Sequence, residues 1–218
     1  MCGELNKPFI YLAVYRAPFE YPKISLCRER REYLQNPRTG DAIDSRWIWR
    51  LLSKEFYEVL GTNLNSLHPH RLDTGKWVVD NYFISLSHSG GLFAVAISSH
   101  NIGVDIQKDR NGARVSNDST WAEGEKEIIK DLKPLYRIWG LWTRKEALYK
   151  FIDPGIEYCD DTHSKFDTSK YNRFFRTWEY DVFYFSICSD LINKGEDYSF
   201  DFRTNLEEDQ IKEIVYCQ

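Results

Sequence analysis

The 218-residue chain lacks the glycine fingerprints of a phosphate-binding P-loop and of a dinucleotide fold, so neither nucleotide-binding architecture is expected. It has no Cys-x-x-Cys pair. Its five cysteines (Cys2, Cys27, Cys159, Cys188 and Cys217) are scattered and odd in number, which offers no zinc-ligand spacing and reads as free thiols in a reducing compartment. A basic excess is missing too: the formal net charge is −4, whereas non-specific nucleic-acid binding needs a strong positive balance. The longest apolar runs, such as Leu92 to Ile97, are far too short to span a bilayer. The N-terminus shows no basic region followed by an apolar stretch and a small-residue cleavage site. A cytoplasmic protein is expected, with neither a membrane nor a nucleic acid as partner.

Hydrophobic content of 42% and aromatic content of 16% fit a folded globular chain, large enough for one big domain or two small ones. Phe9 to Tyr15 reads as a buried strand, Ser25 to Gln35 as a short capped helix, and Asp44 to Leu60 as a longer helix stopped by Gly61. Leu64 to Lys76 is polar and loop-like; His68 and His70 there lack further donors for a metal. Tyr82–Leu86 and Leu92–Ser98 read as strands joined by Ser87-His88-Ser89-Gly90-Gly91, with a third run at Ile102–Ile106. Lys108–Ser119 is a polar connection, Glu123–Leu132 and Leu135–Phe151 are helices, and Asp153–Tyr171 is a polar loop. Phe174–Tyr180, Phe183–Cys188 and Ile211–Tyr216 complete the set as strands. Strand, helices and hairpin occur twice in that order. The expected fold class is therefore α+β, with two similar halves, 1–101 and 102–218.

Trp142-Thr143-Arg144-Lys145-Glu146-Ala147-Leu148-Tyr149-Lys150 carries the chemistry of the second half. On a helix, Trp142, Glu146 and Lys150 share a face at i, i+4 and i+8, with Lys145 just beside it. Taken alone, a Glu-x-x-x-Lys pair is a solvated contact worth a few tenths of a kcal/mol. A second acid changes that reading. In Ile102-Gly103-Val104-Asp105-Ile106-Gln107, strand alternation puts Val104 and Ile106 on one side and Asp105 and Gln107 on the other. Aspartate is depleted in strands, so Asp105 either caps or pairs locally at the strand end or serves a ligand. Asp105 and Glu146 supply hard oxygens and Gln107 a neutral one, while Lys145 and Lys150 can neutralise phosphates. Mg²⁺ takes only one or two protein carboxylates alongside substrate phosphates, so a metal-dependent phosphate site is the pattern's reading.

These residues resemble the 4′-phosphopantetheinyl transferases. The resemblance rests on Gly103-Val104-Asp105-Ile106-Gln107 and on Trp142-x-x-Lys145-Glu146-x-x-x-Lys150, preceded by Ser85-Leu86-Ser87-His88-Ser89 and Gly75-Lys76. It spans residues 75 to 150, and the chain length resembles the Sfp type, a single chain of two pseudo-symmetric halves. The resemblance implies transfer of phosphopantetheine from coenzyme A to a serine of an apo acyl or peptidyl carrier protein, releasing adenosine 3′,5′-bisphosphate, by a monomer. By position it implies Mg²⁺ on Asp105 and Glu146, with Gln107 and Glu125 as further candidate ligands. Lys76, Ser87, His88 and Arg46 would hold the 3′-phosphoadenosine end. Lys150 would bind the pyrophosphate, and Glu146, directly or through a water on the metal, would be the base. Gln107 stands where the family often has Glu, and Trp77 where it often has Pro. Arg28, Arg30 and Arg31 offer a basic segment for an acidic carrier. Two other classes stay open. A degenerate binder of coenzyme A or carrier would have lost the metal and phosphate residues, yet Asp105, Glu146 and Lys150 are all present. A coenzyme A-dependent acyltransferase would work without a metal.

Overall fold

The computed structural model describes residues 7–18, 42–67, 69–72, 76–109, 120–132, 137–152, 166–194 and 197–216. The expected 25–35 helix with Arg28, Arg30 and Arg31, the residues His68 and Gly75, and segments 110–119 and 153–165 lie outside them.

Strand β1 (Phe9–Arg16) is followed by helix α1 (Ala42–Leu60), which ends as expected where Gly61 takes φ 67° and donates back to Tyr57 O at 2.8 Å. Short strands β2 (His70–Arg71) and β3 (Trp77–Val79) lead into β4 (Tyr82–Ser89), β5 (Leu92–Ser98) and β6 (Ile102–Lys108). Helices α2 (Glu123–Asp131) and α3 (Ile138–Ile152) come next, then β7 (Phe175–Tyr180) and β8 (Phe183–Ser189). A helical turn α4 (Asp190–Lys194) precedes β9 (Ser199–Thr204) and β10 (Lys212–Glu213). The mixed α+β architecture expected from the sequence is what the chain adopts.

The strands form two sheets, ordered β2-β3-β4-β5-β1-β9 and β10-β7-β8-β6. Alternation builds the layers. Phe9, Tyr11 and Ala13 of β1 meet Ile48, Leu52 and Phe56 of α1 on one face of the first sheet. Ile10, Leu12 and Val14 face the other way and pack with Val104, Ile106, Phe185 and Ile187 between the sheets. On the far side of the second sheet, Ala147, Leu148 and Phe151 of α3 cover Phe175 and Cys188. The order is thus helix, sheet, sheet, helices.

Several elements differ from the sequence expectation: β2 falls in the stretch expected as a loop, β3 and α4 have no expected counterpart, and β4, β9 and β10 also depart from it. β4 continues through Ser87, His88 and Ser89, so the turn consists of Gly90 and Gly91 alone, at φ 54° and 85°. β9 was missed, although Phe200 and Phe202 alternate with polar residues; it pairs in parallel with β1, from Phe9↔Ser199 to Val14↔Thr204. The second half of the chain thereby contributes an edge strand to the first sheet. At Ile211–Tyr216 only Lys212 and Glu213 pair as strand, while Ile214 and Tyr216 bury their side chains without a ladder.

Candidate active site

The site lies along the seam where β4 of the first sheet meets β6, the edge strand of the second. An edge strand carries unpaired N–H groups that need acceptors when buried. Here three serine hydroxyls supply them. Ser85 Oγ accepts from Val104 N at 2.9 Å, Ser87 Oγ from Ile106 N at 3.3 Å, and Ser89 Oγ from Lys108 N at 3.1 Å. Serine at every second position of β4 puts the hydroxyls on one face. Beneath them in β5, Ala96 and Ala94 stand opposite Ser85 and Ser87. Those small side chains leave room for β6.

On its other face β6 carries Gly103, Asp105 and Gln107 towards α3. A Cβ on Gly103 would lie 2.0 Å from Ala147 O and 2.7 Å from Phe151 N, so only glycine lets the helix backbone rest on the strand. That contact brings Lys150 to Asp105. Lys150 Nζ donates to Asp105 Oδ1 at 2.8 Å, to Val104 O at 3.0 Å and to Leu86 O at 3.5 Å, so one ammonium stitches both strands of the seam. Ser87 Oγ donates to the same Oδ1 at 2.7 Å. Asp105 Oδ2 is buried and has no hydrogen-bond partner. Burial pushes the Asp105 carboxyl up from its ordinary value; the Lys150 ammonium opposes this, and the nearby Glu146 carboxylate adds to it. Glu146 is itself buried at the same face of α3.

An orphaned carboxylate oxygen beside a second carboxylate suits a hard divalent cation, which needs few protein oxygens when a phosphate ligand supplies the rest. Asp105 and Glu146 therefore fit Mg²⁺ as a donor set. Among the described residues no three acids, histidines or cysteines converge, so the fit is a two-carboxylate one. Gln107, partly buried and opposite Tyr184 in the β6–β8 ladder, lies two residues further along the same face.

Glu125 does not join this cluster. One oxygen, Oε2, accepts from Ala122 N at 2.9 Å and from Lys145 Nζ; the other, Oε1, accepts from Thr168 N at 3.1 Å and Thr168 Oγ1 at 2.7 Å. Lys145 Nζ also donates to Phe166 O at 2.6 Å. Both side chains are fully buried, and burial lowers the Lys145 ammonium from its usual value against the pull of Glu125. This closed pair ties α2, α3 and residues 166–168 together. Thr168 and Phe166 had no signal in the sequence.

The remaining expected site residues spread over both faces of β4. His88 points away from Ser87, towards α1: its ring stacks on Phe93 at 6.0 Å and its Nδ1 lies 3.6 Å from Asp44 Oδ2. Arg46 is exposed on the first turns of α1. Lys76 is buried at the C-terminal end of α3, donating to Asn101 Oδ1 and, at 3.2 Å, to Phe151 O. Arg144, next to Lys145 in sequence, is a buried cation with no carboxylate partner among the described residues. It bonds Thr177 Oγ1 at 2.9 Å and Asn172 Oδ1 at 3.1 Å, and lies against the rings of Tyr216 and Phe175. Burial pulls its pKa down to about 10.

Residues 101–202 match the sequence model of the 4′-phosphopantetheinyl transferase superfamily. The matched stretch begins beside β6 and contains Asp105, Gln107, Glu125, Lys145, Glu146 and Lys150. The mixed α+β fold is consistent with that superfamily. No curated protein matches the chain.

Proposed function

We propose that this protein transfers the 4′-phosphopantetheine group of coenzyme A to a serine hydroxyl of an apo acyl or peptidyl carrier protein, in a Mg²⁺-dependent reaction of the Sfp type. The observation that carries the reading is the Asp105–Lys150–Glu146 cluster at the seam, inside the stretch that is similar to the transferase superfamily. The serine oxygen forms a bond to the phosphorus on the pantetheine side of the pyrophosphate. The bond from that phosphorus to the bridging oxygen breaks, and adenosine 3′,5′-bisphosphate leaves with the electron pair. Such a transfer depends on positioning and charge neutralisation more than on covalent help.

Asp105 and Glu146 are the residues that would hold Mg²⁺, which supplies charge neutralisation at the pyrophosphate when bound. Lys150, with 30% of its side chain exposed, would exchange its long 3.5 Å bond to Leu86 O for the leaving phosphate. Glu146 is the acceptor for the serine proton, directly or through water. His88 and Arg46, on the α1 side of β4, are assigned to the 3′-phosphoadenosine end. Lys76 serves from behind, bracing the end of α3 through Phe151 O and Asn101. Glu125 and Lys145 hold the frame rather than the metal.

The same reading keeps the division into halves 1–101 and 102–218, with β9 of the second half crossing over to pair with β1 of the first. It also places the activity in the cytoplasm, as a monomer. No helix among the described residues is long and apolar enough to cross a membrane, and Cys188 is a buried free thiol.

Intact-mass measurement of an apo carrier protein tests the reading, after incubation with this protein, coenzyme A and Mg²⁺, with and without EDTA. A gain of one phosphopantetheine that EDTA abolishes is expected. No gain on fatty-acid, polyketide and peptidyl carriers, despite coenzyme A binding, would overturn it in favour of a degenerate binder. A gain that survives EDTA would remove the metal from the account.

A further inference from the structure

The three seam serines do the same backbone work but differ in where their protons go. Each accepts one N–H from β6, at 2.9 Å for Ser85, 3.3 Å for Ser87 and 3.1 Å for Ser89. A serine hydroxyl has a single proton to donate. Ser87 spends its proton on Asp105 Oδ1 at 2.7 Å.

Lys150 donates to that same oxygen at 2.8 Å. Oδ1 therefore takes two fixed donors while Oδ2, equally buried, takes none. Two donors on one oxygen fix the rotation of a carboxylate about its last bond. They decide which oxygen is consumed internally and which is left unfilled. Lys150 reaches Oδ1 from α3 and is partly exposed, whereas Ser87 reaches it from β4 and is buried. The serine is the more rigid of the two anchors.

We propose that Ser87 is a positioning residue for Asp105: its hydroxyl holds Oδ1 and so leaves Oδ2 as the oxygen available to the cation. The inference rests on the metal reading of the site given above. Ser85 and Ser89 are built-in controls, because they make the backbone contact without the carboxylate contact.

The test is Mn²⁺ affinity of the free protein, measured by electron paramagnetic resonance without coenzyme A or carrier, alongside urea denaturation. The set comprises wild type, Ser85→Ala, Ser87→Ala, Ser89→Ala and Ser87→Thr. All three alanine variants lose stability, Ser87→Ala the most, since it removes a bond to a buried carboxylate as well as the acceptor that each of the three supplies. Only Ser87→Ala weakens Mn²⁺ binding, by about 10–100-fold, the loss typical of a hydrogen-bond partner behind a metal ligand. Ser87→Thr, which keeps the hydroxyl, recovers most of that affinity. Unchanged Mn²⁺ affinity in Ser87→Ala, or an equal loss in Ser89→Ala, would overturn the positioning role while leaving the metal site standing. Absence of Mn²⁺ binding by wild type would remove the metal reading, and this inference with it.

Discussion

Helix α3 carries two lysine–carboxylate pairs five residues apart, and they are finished in opposite ways. In Lys145–Glu125, both carboxylate oxygens are filled, the ammonium also bonds a carbonyl, and neither side chain reaches solvent. In Lys150–Asp105, one carboxylate oxygen takes two donors, the other takes none, and the lysine is partly open. A buried charge without its full set of partners is costly, so a fold keeps one only where something else gains from it. On the proposed reading, the closed pair is scaffold and the open pair is the reacting site. Counting salt bridges would have scored them alike; counting unfilled lone pairs separates them.

The sharpest way to break the comparison is to remove one partner of the closed pair. Lys145→Met leaves the Glu125 carboxylate buried beside Thr168 without its ammonium, and is expected to cost about 3–5 kcal/mol in urea denaturation. Asp105→Asn is the counterpart at the open pair. It removes a buried charge that has one unfilled oxygen, so stability should stay within about 1 kcal/mol of wild type or rise. Phosphopantetheine transfer should fall by about 10²–10³-fold in the mass assay, the scale for losing one charge-stabilising group. A variant that unfolds as readily as Lys145→Met would break the contrast.

Gly103→Ala acts on the contact that makes the open pair possible. The added methyl meets Ala147 O and Phe151 N, α3 must move off β6, and a loss of about 1–3 kcal/mol is expected, with a fall in transfer. The smallest effect belongs to a third pair, Arg176–Glu213, which fastens β10 to β7 through bonds of 2.8 Å at the surface. Glu213→Gln should cost only a few tenths of a kcal/mol and leave transfer unchanged. The hydrogen bond from Arg176 holds the Glu213 carboxyl below its usual range. Its stabilisation is therefore present at neutral pH and is lost as pH falls through the folded-state value. Thermal melts across acidic pH should show a slightly shallower decline in the variant.

Much of this was legible in the sequence because periodicity and glycine report directly on geometry. Glu146 and Lys150 four apart announced a shared face, whereas nothing in the sequence said that the backbone of α3 would rest on Gly103. The serine ladder was legible in principle, since Ser85, Ser87 and Ser89 recur at the strand period. Ser85 falls in the expected strand, but Gly90-Gly91 draws the hairpin boundary three residues too early and puts Ser87 and Ser89 in the turn. Other features had no local signal. Thr168 closing on Glu125, or Lys76 reaching Phe151 O, joins residues 43 and 75 positions apart, and only the packing of α3 against the sheets creates them. Arg144 could not be told from its neighbour Lys145: both are buried, but one stacks on rings and bonds hydroxyl and amide oxygens while the other holds a carboxylate.

The measurement that tests the contrast most directly runs Glu146→Gln and Glu125→Gln side by side in the intact-mass assay, at a temperature where circular dichroism shows both folded. Glu146→Gln should match wild-type stability and make no holo carrier, whereas Glu125→Gln should unfold earlier in urea yet retain most of its transfer while folded. A folded Glu125→Gln as inert as Glu146→Gln would contradict the account, because the closed pair would then belong to the reacting site.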